Sequence, residues 1–158
     1  MQTNNDTHTV SNAPCRRALH ASRAALASAV PHSVIALLAR IAMGSTFWLS
    51  ARTKVDGLLT LKDSTFFLFE NEYALPMLPV NVAAYLATYS EHLFALMLFV
   101  GLGSHLGTAG MLDITAVIQL LVYPSAWPTH LGWAVLLLVI IAQGPGKLSL
   151  DHVLFGRR

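Results

Sequence analysis

NVAAYLATYSEHLFALMLFVG, residues 81–101, decides the fold. Crossing a bilayer takes about 20 mostly apolar residues in a helix, and this stretch is long enough. Its one formal charge, Glu91, sits near the middle. Three further stretches share that character on either side of it. They are residues 33–51 (SVIALLARIAMGSTFWLSA), 105–123 (HLGTAGMLDITAVIQLLVY) and 129–143 (THLGWAVLLLVIIAQ). The first carries Arg40 and the third Asp113, while the fourth holds an unbroken apolar run from Val135 to Ala142.

Composition agrees with four membrane spans. Of the 158 residues 54% are hydrophobic and 11% charged, with mean hydropathy +0.56. Soluble domains carry roughly 25% charged residues, and a chain this short buries only about two-thirds of its unfolded surface. The bilayer is therefore the expected partner. A net charge of +2 is too small and scattered for a nucleic-acid surface. The lone Cys15 excludes an internal disulfide, a CxxC pair and a cysteine-based metal site. No metal site is expected.

The connections set the topology. Residues 101–104 and 124–128 (PSAWP) are tight turns, so neighbouring spans lie side by side and antiparallel. The expected fold is all-α, an antiparallel four-helix transmembrane bundle. The first connection, residues 52–80, is long and contains Phe66-Phe67-Leu68-Phe69-Glu70-Asn71-Glu72-Tyr73. Apolar residues followed by acids suit a segment lying in the interface with its rings inserted. It is expected to cover the bundle mouth, with Glu72 and Tyr73 over the polar core and Lys54 and Arg52 as counter-charges. Six basic residues (Arg16, Arg17, Arg23, Lys147, Arg157 and Arg158) fall on the side of the termini, against Arg52, Lys54 and Lys62 on the other. The positive-inside rule then places both termini in the cytoplasm.

The ends are read separately. Residues 1–31 form a polar tail and a basic, alanine-rich surface helix, and residues 152–158 a basic tail. Arg23 interrupts the apolar core that a cleaved signal needs. Gly103 and Gly107 give small-xxx-small spacing for close approach of spans two and three. Trp48, Trp127, Trp133, Tyr73 and Tyr123 read as an aromatic belt. Gly144-Pro145-Gly146 terminates the last span, and Ser149 and Asp151 are candidate caps of a short following helix.

Five elements resemble, in order and spacing, the DoxX family of small four-span bacterial membrane proteins. They are Arg40; Phe47-Trp48-Leu49-Ser50-Ala51-Arg52-Thr53-Lys54; Leu68-Phe69 with Glu72-Tyr73-Ala74-Leu75-Pro76; Glu91 followed by Gly101-Leu102; and Gly144-Pro145-Gly146-Lys147-Leu148-Ser149-Leu150-Asp151. Ala51 stands where the family often has glycine, and His105 where it often has arginine. The resemblance implies a membrane domain over residues 32–151 in a bacterial inner membrane, with a link to redox chemistry. Some relatives are subunits of a thiosulfate-oxidising quinone reductase; others are tied to thiol or oxidative-stress complexes. By that analogy the chain is a redox-associated membrane subunit, with a quinone as ligand and a membrane-associated oxidoreductase as electron-supplying partner. The alternative is a non-enzymatic scaffold, or a small transporter or proton pathway.

A charge at mid-bilayer costs about 2.5–3.5 kcal/mol on insertion scales. Arg40, Glu91 and Asp113 are therefore expected to converge inside the bundle, their depths differing by a turn or so. Such a cluster serves either as glue between helices or as a proton relay or quinone head-group site. His92, Gln119, Glu72, Tyr73 and Lys54 are the candidate ligand contacts around it, with Gln119 expected on the Asp113 face. An internal bis-histidine haem is not expected, because no second histidine lies at the depth of His92.

Overall fold

The structure is a computed structural model describing residues 31–76 and 78–156. The expected surface helix before Pro31, Cys15 and the final two arginines lie outside the described residues. Among the described residues there are six α-helices: α1 (His32–Thr53), α2 (Asp63–Asn71), α3 (Val80–Val100), α4 (Ser104–Val117), α5 (Trp127–Gln143) and α6 (Leu150–Phe155). The strands β1 (Val55–Asp56) and β2 (Thr60–Leu61) make a small antiparallel hairpin between α1 and α2.

Four helical segments are long and apolar enough to span: His32–Thr53, Val80–Val100, Ser104–Val122 and Pro124–Gln143. The fourth starts earlier than the sequence suggests. A 3₁₀ turn at Pro124–Ala126 runs directly into α5, and proline is favoured in a first helical turn, where no donor is lost. The third ends in a π-turn over Ile118–Val122. In the bundle α1 packs on α3 and α5, and α4 packs on the same two helices. The result is an all-α, multi-pass membrane protein.

The interior mixes small residues with a few large ones (Met43, Phe47, Leu98, Met111, Leu137 and Ile140), and leucine dominates the outside. Ala36, Ala39, Ala51, Ala84, Ala95, Thr88 and Thr108 are buried, while Leu38, Leu49, Leu86, Leu93 and Leu106 are exposed. Lipid is as apolar as leucine, so the helices gain by packing closely, and small residues allow the backbones to approach. Gly107 shows this directly. A Cβ there would lie 3.1 Å from both Leu98 Cδ1 and Met97 Cβ, so the glycine lets α4 press on α3. The expected aromatic belt is only partly formed: Trp48 and Trp133 pack against the core, while Trp127 is exposed.

At the end carrying the α3–α4 turn, the helix termini are tied together by Arg40. Its side chain is 1% exposed. Nε donates to Leu98 O at 2.8 Å and Nη2 to Phe99 O at 3.1 Å, both in the last turn of α3. Nη1 donates to Pro145 O at 3.2 Å and Leu148 O at 2.7 Å, in the segment after α5. Carbonyls in a last helical turn lack intrahelical partners, and the helix dipole favours a cation there. Gly101 leaves α3 with φ +73°, and a Cβ on it would stand 2.5 Å from Arg40 Nη2. Glycine at this position both terminates the helix and leaves room for the guanidinium.

The expected Arg40–Glu91–Asp113 cluster is therefore not formed. Seven residues separate Glu91 from Leu98, about 10 Å of helix axis, and Arg40 is bonded at the Leu98 level. A long side chain near a helix end finds unpaired carbonyls closer than a mid-bundle carboxylate.

Asp151 closes the same end. Ser149 caps α6 as expected, accepting from His152 N at 3.2 Å, but Asp151 does not. Its carboxylate accepts from Gly103 N at 2.7 Å and Ser104 N at 2.8 Å, capping α4 from a distance. The helix α6 also runs across the expected boundary at residue 151. Burial pushes the Asp151 carboxyl upward, yet the Ser104 and Gly103 amides outweigh it and hold the pKa below the usual carboxylate value. A lowered pKa stabilises the fold above the unfolded value of about 3.9 and loses that effect as pH falls through the folded value. Asp151→Ala should cost about 0.5–2 kcal/mol at pH 7. In thermal melts of detergent-solubilised protein, the gap between variant and wild type should close below about pH 4. A gap that stays constant down to pH 3 would contradict the charged cap.

Candidate functional site

The candidate site lies toward the other end, where Lys54 follows α1. Its backbone is fixed by the hairpin and α2: Lys54 O accepts from Lys62 N at 3.1 Å and from Thr65 Oγ1 at 2.6 Å. Arg52 holds the hairpin tip, donating to Leu58 O at 3.1 Å and Gly57 O at 2.7 Å. It is thus committed to the hairpin rather than serving as a counter-charge to Glu72. With its main chain pinned, the Lys54 side chain turns inward and is 4% exposed.

There it meets Glu91. Lys54 Nζ donates to Glu91 Oε2 at 2.7 Å, to Glu91 Oε1 at 2.9 Å and to Ser50 Oγ at 2.9 Å. Ser50 and Lys54 are four residues apart and so share a face. Glu91, near the centre of α3, is 3% exposed. The partner of the mid-membrane glutamate is the lysine at the span end rather than the mid-span arginine.

A cavity of about 480 Å³ opens beside this pair. Lys54, Glu91, Ser50 and Ser90 lie on its α1 and α3 side, and Asp113 and Ile114 come from α4. Tyr73, Phe69 and Tyr123 also line it, as do His130 and Trp133 of α5. Of the candidate residues, Lys54, Glu91, Asp113 and Tyr73 come together here. The Phe66–Tyr73 stretch does cover this region, but as the amphipathic helix α2 rather than as rings inserted throughout. Phe69 is buried and Phe67 is 68% exposed. Tyr73 stacks edge-on against Phe69 and Tyr123, with centroids 5.2 and 5.7 Å away.

The other candidates fall elsewhere. Arg40 binds the far end. His92 lies one residue beyond Glu91, about 100° further round α3, and faces α1. There its ring meets Trp48 edge-on at 5.1 Å. His92 Nδ1 contacts Thr88 O at 2.8 Å; a carbonyl only accepts, so Nδ1 carries the hydrogen and the buried Nε2 has no partner among the described residues. Gln119 does not share the Asp113 face: six residues at 100° leave the two side chains about 120° apart, and the π-turn displaces it further. It donates to Pro124 O at 2.8 Å and accepts from His130 Nδ1 at 2.7 Å, in a separate groove between α4 and α5. Glu72 is exposed and accepts from the Tyr123 hydroxyl. That bond, reinforced by burial, holds the Tyr123 phenol above the ordinary tyrosine range.

Ser50, Ser90 and His130 are polar lining residues that sequence reading missed. The Ser50–Lys54 spacing offers a signal; His130 offers none, since it sits near a span end by sequence.

This is a four-span helical membrane protein with a mostly apolar cavity, lined by residues of all four spans and the connecting helix α2, that carries Lys54, Glu91 and Asp113 on its wall. Residues 35–124 match the DoxX family, more than half of the chain, and the chain belongs to that family. No curated protein and no solved structure matches it.

Removing one member of a buried ion pair leaves an uncompensated charge, at about 3–5 kcal/mol. Lys54→Leu and Glu91→Leu should each destabilise the protein by that order, and the double variant by much less than their sum. Denaturation in mixed micelles across this double-mutant cycle measures the coupling. Strict additivity would show that the pair is not coupled.

Proposed function

We propose that the chain is a redox-associated membrane subunit that receives the ring of a membrane quinone in the Lys54–Glu91–Asp113 cavity. The observation that carries this reading is the cavity itself. Its volume falls within the range of about 300–1,000 Å³ typical of small-ligand sites. Its walls are mostly apolar and aromatic, with the polar groups gathered around Lys54 and Glu91. A substituted ring with two oxygens and an apolar chain has the same division. A membrane-associated oxidoreductase partner exchanges electrons with the ring, while this chain positions it and excludes water. The family resemblance supports the redox association.

Purified protein should quench saturably when titrated with a short-chain quinone, because Trp133 lines the cavity. Ile114→Trp, which fills the cavity wall, should weaken binding by about tenfold or more, as should the Lys54→Leu/Glu91→Leu pair. No saturable signal with wild-type protein, or full binding by the filled variant, would overturn the site.

The location proposed is a bacterial inner membrane with both termini cytoplasmic, on the excess of basic residues flanking the termini. Reporters fused after Asn71 and after Gly156 should then read periplasmic and cytoplasmic, respectively. The reverse pattern would invert the orientation.

A further inference from the structure

Hydrogen-bond donors and acceptors around the cavity are unequally committed. An ammonium has three N–H groups, and Lys54 spends all three on Ser50 and the two Glu91 oxygens. The Ser90 hydroxyl donates to Ala87 O at 3.1 Å, Tyr123 to Glu72, and His130 Nδ1 to Gln119. The acceptors are not used up in the same way. An ionised carboxylate accepts at about four sites. Lys54 occupies roughly two of those on Glu91. Asp113, which lines the cavity from α4 and is exposed, has no side-chain hydrogen bond or ion pair among the described residues. Against these stand three lining side-chain hydrogens that donate in no hydrogen bond among the described residues, those of the Ser50 and Tyr73 hydroxyls and the Trp133 indole. Formally, Lys54 and Glu91 cancel and Asp113 leaves the cavity at −1.

From this imbalance we infer that the cavity selects an amphiphile whose head group donates hydrogen bonds, with Asp113 and the free lone pairs of Glu91 as the acceptors. The inference rests in part on the quinone reading, and there it specifies the reduced, dihydroxy ring over the oxidised dicarbonyl ring. Two carbonyl oxygens beside these carboxylates meet lone pairs that repel them. Two hydroxyls donate to those carboxylates, and hydrogen bonds to a charged acceptor are the stronger kind. A protonated amine on an apolar body offers the same donor chemistry, and the rings of Phe94, Tyr73 and Tyr123 add faces that attract a cation.

Two matched pairs of probes separate these sources, titrated against the full chain in detergent micelles. One pair is a short-chain benzoquinol, kept reduced and anaerobic, against its quinone. The other is 4-phenylbutylamine against its neutral isostere pentylbenzene. In at least one pair the donor member should bind about tenfold tighter or better. For the ring pair, tenfold corresponds to raising the midpoint potential of the bound two-electron couple by about 30 mV. Asp113→Asn adds amide hydrogens and removes the formal charge without stranding a partner, so it should reduce the preference to about twofold or less. Equal affinity within both pairs, or a preference that Asp113→Asn leaves intact, would overturn the inference. Should the amine pair show the preference while neither ring form binds, the donor rule stands and the quinone reading fails. Equal binding of quinol and quinone, with the amine no better than pentylbenzene, gives the opposite result: the inference fails and the quinone reading survives. If no probe binds, both fall.

Discussion

Hydrocarbon offers no hydrogen bonds, and the burial of Arg40 is how this bundle meets that constraint. The last turn of α3 ends in carbonyls that no later residue of the helix can reach. A soluble protein would leave them to water; here they lie inside the protein, where each unsatisfied group costs several kcal/mol. One guanidinium from α1 satisfies two of them and two more from the segment after α5. The same contact therefore fixes three spans relative to one another. Gly101 provides the space, and Asp151 completes the closure by capping the first amides of α4.

With one end locked by Arg40, the polar groups at the other end gather around Lys54 and Glu91. The hairpin and α2 hold the main chain of Lys54, and the side chain then turns into the bundle. The ion pair it makes with Glu91 costs desolvation that its own attraction only roughly repays. Such a pair is a weak reason for stability and a better reason for a polar wall inside an apolar cavity. Asp113 on the α4 wall strengthens this view, because a carboxylate without a partner among the described residues contributes nothing to packing.

Much of the fold was legible in the sequence because the bilayer imposes a length and a composition. The four spans, the tight turns, the glycine spacing that lets α4 approach α3 and the helix stop at Gly144 could all be read from residues 33–151. The candidate site was half legible. Lys54, Glu91, Asp113 and Tyr73 line one cavity. Arg40, His92, Gln119 and Glu72 point elsewhere, for reasons of helical phase and of nearer partners. Six residues are not a whole number of turns, so Gln119 left the Asp113 face. Glu91 and His92 are adjacent in sequence and diverge by about 100°.

The sequence by itself determined that this is a four-span membrane bundle, because hydropathy over about 20 residues depends on composition alone. It also showed that the spans carry charges in need of partners. Which charge meets which was decided only by the tertiary structure. Pairing depends on axial offset and rotation between helices, and on where unpaired carbonyls lie within reach of a long side chain. Those quantities arise only once the helices pack, which is why Arg40 went to the helix ends and Glu91 to the lysine beyond α1.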